Sequence, residues 1–449
     1  MQAVPAPALP PIAAAALPGL YLGVGSCGTS VCHGSAVPRR DYDILQNEFQ
    51  IWKDDPHAHA WEPLTGERSR VIARNLHLPG PADAPLCLAC HTLVVPKARM
   101  AGRNLEVEDG ISCESCHGPA SGWLEGHRSE SWTHADSVRA GMTDLRDLDT
   151  RARVCLSCHL GTGDRTVDHE LLAAGHPVLS FELDNFTEGM PPHWLPWRDR
   201  RRREGRPDTH GARAWAVGQV VAFREGLAEL ARRARSERWP EFSALECSTC
   251  HHSLAERRYL TVRGGSLPAD PPGLPRWSPA RWAVLRHLVD AVAPEARAGL
   301  QADVDVLAGQ LARFGTPPAE VAETAERAAR RAEPLVAAVA RVRWDGAQVR
   351  RVLFAIAGDR DFLSGADLPT AEQAYLAVHT LAAELVAGRS IPAPAAVSAT
   401  SVPAAPGTLA GLAAADEALN RELAIPETFS AARFVERLAE LERQVRALP

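Results

Sequence analysis

The chain has 449 residues, 45% hydrophobic and 23% charged, with a formal net charge of −6. Such a composition is globular, and the length accommodates about two to three domains of roughly 100–200 residues each. The acidic balance excludes a nucleic-acid binder that relies on a basic surface, and no apolar run reaches the ~18–20 residues that span a bilayer.

Residues 1–26 are Ala/Pro-rich, and the first basic residue is Arg39. They lack the positive n-region of an export signal, although the stretch 13–22 forms a weak apolar segment. Val24-Gly25-Ser26 before Cys27 resembles a lipoprotein processing box, in which that cysteine would be acylated.

Residues 27–260 hold all ten Cys and 15 of the 17 His. Four Cys-x-x-Cys-His copies stand there: Cys87–Cys90–His91, Cys113–Cys116–His117, Cys155–Cys158–His159 and Cys247–Cys250–His251. A fifth copy, Cys27–Cys32–His33, has four residues between the thiols. The five pairs use every cysteine. This spacing is the signature of covalent c-type haem attachment: two thiols add to the porphyrin vinyl groups, and the adjacent His becomes the proximal iron ligand. Structural zinc or a disulfide framework is the competing reading, but neither requires His directly after each second Cys. Five haem c groups are therefore expected, with acylation as the rival use of Cys27. Haem c is attached on the exported side of a membrane, which places the protein in the periplasm or on the outer face.

Turn residues cluster between the motifs, and no long alternating pattern appears, so short helices and loops around a haem chain are expected. Residues 213–236 read as one amphipathic helix leading to the fifth motif. Ser278-Pro279 gives the N-cap and first position of a helix ending near Pro294. Thr316-Pro317 begins another, broken before Gly358. Thr370-Ala-Glu-Gln373 reads as a capping box opening a helix to Gly388. Residues 389–409 are a linker by composition, and a charged helix fills 427–447. The predicted fold class is mainly α. It comprises an Ala/Pro-rich leader or mobile segment over 1–26, a pentahaem cytochrome c domain over 27–260 and a helical domain over 275–388. The linker and a C-terminal helix within 410–449 follow.

Five proximal ligands leave twelve histidines. A low-spin electron-transfer haem wants a sixth ligand, usually His or Met, whereas a haem that binds small molecules leaves that position open. His176, in Gly175-His176-Pro177, and His193, in Pro192-His193-Trp194, lie on turns that would fix a ring's angle. They are distal candidates, as is His210 before the long helix, with His252 a weaker one. His59, His77, His134 and His169 read as surface residues, and His287 and His379 as packing residues of helices. Met100, Met142 and Met190 are available thioethers. The run Arg198–Arg203 reads as a solvated basic face, or alternatively as neighbours of haem propionates.

Trp52-Lys-Asp-Asp-Pro-His57-Ala-His59-Ala resembles the Trp-Lys-Asp-x-x-His-Ala segment of the cytochrome c-554 family. Gly110-Ile-Ser-Cys113-Glu-Ser-Cys116-His117-Gly118-Pro119 is similar to that family's third haem motif, and His127 falls where the family has a distal ligand. The likeness covers about residues 20–160. It implies a multihaem protein of the kind that carries electrons away from hydroxylamine oxidation. It also implies His127 over the haem of His33, and His57 over the haem of His159. A ligand from beyond the fourth motif would serve the haem of His117, and the haem of His91 would be five-coordinate. The longer first motif, the fifth haem and everything after residue 260 depart from the family.

The function expected is that of an electron carrier with five, mostly bis-His, haems. The alternative is an oxidoreductase acting on a small nitrogen or sulfur compound at an open iron of His91. The absence of any Cys-x-x-Cys-Lys motif argues against the lysine-ligated nitrite reductase version of that chemistry. Redox proteins are the expected partners, with no nucleic acid and no transmembrane segment, and residues 275–449 are a candidate docking region.

Overall fold

The computed structural model describes residues 18–39, 45–101, 105–163, 165–194, 210–251, 275–313, 315–386 and 407–448. The expectations for residues 1–17, Arg198–Arg203, His252 and most of the 389–409 linker lie outside the described residues. Regular structure among the described residues is helical. Pairing of extended segments is confined there to two isolated bridges, Tyr21 with Met100 and Leu245 with Trp277. The mainly α class is thus borne out.

The chain divides into two compact units, Met1–Phe181 with Thr187–Arg203, and Glu182–Phe186 with Glu204–Pro449. The fifth motif therefore falls in the second unit and the other four in the first, where one domain over 27–260 was expected. The reason lies in the helix His210–Ala234. It was read as amphipathic, but Ala212, Trp215, Ala216, Val217, Val220, Val221 and Phe223 are all buried. An element apolar on every face must be enclosed by neighbours, and helices from the C-terminal half supply them.

The first unit is built of short helices, among them Glu48–Trp52, Glu67–Asn75, Pro85–His91, Cys113–His117 and Leu148–Leu156. Local side-chain caps begin several of them: Asp147 accepts from Thr150 N at 2.8 Å and Asp168 from Leu171 N at 2.9 Å. These bonds satisfy helix N–H groups that have no intrahelical partner. A small apolar cluster of Ile72, Leu171 and Ala174 packs against Leu76, Leu86 and Val167. The buried Glu114 carboxylate accepts from the backbone N–H of Leu22, Gly23 and Ala120 at 2.7–3.1 Å. It stitches the segment before Cys27 to the third motif.

In the second unit the helix His210–Ala234 packs chiefly on Pro318–Arg341, with Ala280–Val292 and Leu368–Leu385 beside it. Trp215 meets Trp344 edge to face at 6.2 Å, and Phe223 meets Trp282 at 5.5 Å. Several local expectations are revised. Pro294 does not only end a helix; it opens a further one, Pro294–Leu311. The helix expected from Thr316 to before Gly358 is two, Pro318–Arg341 and Gly346–Ala357, because the fully buried Trp344 turns the chain and Asp345 caps the second. The cap of Leu368–Leu385 is Asp367, accepting from Thr370 N at 3.1 Å, and Thr370 is buried in the first turn. The segment expected as one C-terminal helix holds two, Leu409–Leu423 and Ala431–Arg446, packed together across the Pro426 turn.

Candidate haem centres

The long first motif folds so that its two extra residues bulge outward. His33 N donates to Cys27 O at 3.2 Å, the same His-to-first-Cys link that His251 N makes to Cys247 O at 2.7 Å. Val31, within the bulge, is 78% exposed. A Cβ at Gly34 would stand 2.0 Å from the Gly28 carbonyl oxygen, so the tight return needs glycine there. The unusual spacing therefore leaves the Cys27–His33 relation of a regular motif in place.

The first four motifs converge in the first unit. The Cys27 thiol lies within hydrogen-bonding reach of Cys113, and Cys158 within reach of Cys90. Cys116 in turn feels Cys155 and Cys158. Motif one thus neighbours three, three neighbours four, and four neighbours two. No disulfide joins any of the ten cysteines, all of which are described.

Two histidine pairs face each other across these motifs. His33 and His127 have ring centroids 6.1 Å apart with planes 7° from parallel. His57 and His159 have the same 6.1 Å separation with planes at 88°. Two imidazoles bound trans to one metal by bonds of about 2 Å, with about 1.1 Å from nitrogen to ring centre, have centroids about 6 Å apart. The residues present therefore fit an iron held between each pair.

The outer nitrogens are held as metal-ligating imidazoles require. His33 Nδ1 donates to Glu48 Oε2 at 2.9 Å, and Glu48 is itself fixed by Leu45 N and Gln46 N at 2.8 and 3.1 Å. His57 Nδ1 donates to Asp55 Oδ1 at 2.9 Å. His91 Nδ1 and His127 Nδ1 reach the carbonyls of Ala60 and Leu124, both at 2.5 Å. Bonds of this kind fix tautomer and ring angle and leave Nε2 for a metal. The Glu48 bond raises His33 above the usual imidazole pKa. Burial, with the nearby charges of His193 and His33, pushes His117 down to about 4, and burial with His57 pushes His159 to about 4. Those two rings are held neutral at pH 7, the form that binds a metal.

The remaining candidates separate clearly. His193 is close enough to His117 to depress its protonation, and is itself lowered by burial. His176 follows the buried Leu171 and Ala174, whose cluster packs on Leu86 beside Cys87, and its Nδ1 donates to Pro177 O at 2.8 Å. His210 opens the 25-residue helix, and at 1.5 Å per residue the far end is about 36 Å away. The fifth motif follows that far end, where Arg233 donates to Ser243 at 2.8 Å, so the second unit does not bring His210 to His251. His59 has both nitrogens engaged, with Glu62 and the Lys53 carbonyl, and His134 uses Nε2 on Asp144. His287 and His379 pair with Asp359 and Asp416 inside the helical unit, in keeping with packing roles.

Glu48, Asp55 and Glu114 were missed from sequence. Asp55 carries a local signal, an Asp two residues before His57 that also accepts its backbone N–H at 2.9 Å. Glu48 and Glu114 carry none for their roles at the sites, because His33 lies 15 residues from Glu48 and Gly23 lies 91 residues from Glu114.

Paired imidazoles, carboxylates holding their outer nitrogens and converging Cys-His motifs are the attributes of c-type cytochrome haem sites. The family model of cytochrome c554 and c-prime matches residues 27–118. Cytochrome c-554 of Nitrosomonas europaea is 28% identical over 126 residues, covering 25% of this chain and 52% of that protein. The chain thus spans about half the length of the curated relative it matches. The resemblance read from the motifs holds for this part of the chain, and haem c is the cofactor it implies. No solved structure matches.

Proposed function

We propose that the protein is an exported electron carrier with five covalently bound haems. The observation that carries this reading is the 6.1 Å separation of His33 from His127 and of His57 from His159, the spacing of trans ligands on one iron. His193 serves the iron of His117, which it approaches from beyond the fourth motif. The irons held by His33, His159 and His117, each with a second imidazole from His127, His57 or His193, would change charge without changing ligands, the requirement for fast electron transfer rather than catalysis. Electrons pass along the sequence of neighbours one, three, four, two. The periplasm or outer face follows from the chemistry of haem c attachment, and among the described residues no helix is long and apolar enough to cross a membrane.

The test is haem stoichiometry in full-length protein matured with a c-type attachment system. A pyridine haemochrome assay is expected to give five haems per chain, and four after replacing Cys247 and Cys250 by Ala. Colourless protein lacking a Soret band would end the reading. Four haems with Cys27 acylated would remove the first site.

A further inference from the structure

We propose that His176, through Nε2, is the sixth ligand of the iron held by His91, closing the position that the family resemblance leaves open. This rests on the reading of Cys87–His91 as a haem site and adds a ligand to it.

Three observations place the ring. Leu171 and Ala174, on the turn that carries His176, are buried against Ile72, and Leu86 packs on the same cluster. Leu86 immediately precedes Cys87, so the turn sits on the second haem motif itself. The helix Glu67–Asn75 then clamps the backbone just before the ring. Arg68 donates to Gly175 O at 3.1 Å through Nε and 2.8 Å through Nη2, and Asn75 Nδ2 donates to Ala174 O at 3.1 Å. Gly175 has φ +116°, a conformation that favours glycine, and it reverses the chain so that His176 N donates back to Leu171 O at 3.2 Å. Arg165 Nε also donates to Ala89 O at 2.8 Å, so the segment after the fourth motif touches the second motif's helix at Leu86 and again at Ala89.

The chemistry of the ring agrees with this placement. His176 Nδ1 donates to a backbone carbonyl, Pro177 O, at 2.8 Å, as His91 does to Ala60 O and His127 to Leu124 O at 2.5 Å each. All three leave Nε2 as the metal-binding nitrogen. His59, next to the Ala60 carbonyl that holds His91, does not compete, since both its nitrogens are engaged. With this ligand each of the four irons of the first unit has two imidazoles. The oxidoreductase alternative then loses its candidate iron.

The experiment compares full-length, haem-matured wild type, His176→Ala and His127→Ala by electron paramagnetic resonance and by carbon monoxide titration of the reduced protein. His176→Ala is expected to gain one high-spin haem and one carbon monoxide site per chain over wild type, with unchanged pyridine haemochrome. His127→Ala is expected to gain one of each at the first haem. If His127→Ala gains them and His176→Ala equals wild type, the assignment is overturned while the haem reading stands. If replacing Cys87 and Cys90 by Ala leaves the haemochrome count per chain unchanged, the underlying reading fails instead. Should His176→Ala not mature, His176→Met decides. A new methionine-to-iron charge-transfer band supports the assignment, and a matured protein without that band overturns it.

Discussion

The rings of His33 and His127 lie 7° from parallel at 6.1 Å, while the His57 and His159 rings hold the same distance at 88°. Ring angle controls how the iron d orbitals split. Parallel imidazoles separate the two orbitals that receive ligand π density, and perpendicular rings leave them nearly degenerate. Two classes of low-spin ferric signal are therefore expected, a rhombic one from the first haem and a strongly anisotropic, large-g one from the fourth. His127→Ala should remove the former and His57→Ala the latter, read by electron paramagnetic resonance of the oxidised protein. Loss of the same signal in both variants would contradict the pairing.

Glu48 gives the His33 ring imidazolate character through its 2.9 Å bond, which favours ferric iron. In Glu48→Gln a charge-assisted bond becomes a neutral one, weaker by about 1 kcal/mol. For a one-electron couple that is about 40 mV. The first haem's midpoint potential should rise by about that amount in a redox titration that follows its rhombic signal, with the other haems unmoved.

Glu114 accepts from three backbone donors, two of the bonds buried. Glu114→Ala orphans them at about 1–3 kcal/mol per buried donor, so a loss of at least about 2 kcal/mol in denaturant unfolding of the haem unit is expected. The segment 18–24 should also become a site of proteolytic cleavage. A variant as stable and as protease-resistant as wild type would show that other contacts hold that segment.

In the helical unit, burial lowers His379, but the Asp416 carboxylate 2.8 Å away outweighs it, and the net shift is upward. A histidine whose folded pKa is raised stabilises the fold fully below its unfolded pKa of about 6.5, and that stability is lost as pH rises through the folded value. The helical unit should therefore lose stability between about pH 6.5 and a point above it, followed by circular dichroism melts. Asp416→Asn should flatten that slope, and an unchanged slope would assign it to other groups.

How far the sequence reached follows from the range of each interaction. Haem attachment is a local pattern, so all five motifs could be read directly, including the long one, whose Cys27-to-His33 link the fold restores. Helix existence was equally legible where Pro or a capping residue marked an end, as at Ala280–Val292. The cap of Leu368–Leu385 was misplaced because Asp367 and Thr370 both offer a capping side chain, and only burial of Thr370 chose between them.

Composition and motif spacing alone showed the Cys-x-x-Cys-His pattern of haem attachment and a chain built of helices. Tertiary structure decided which imidazole faces which. It set the angle between rings, placed the fifth motif with the helical unit, and brought Glu48 to His33 and Glu114 to the Leu22–Gly23 backbone. The reason is physical: a thioether bond and its adjacent ligand are fixed by neighbours in the chain. An axial pair, in contrast, joins residues far apart in sequence, whose meeting depends on how every intervening turn packs.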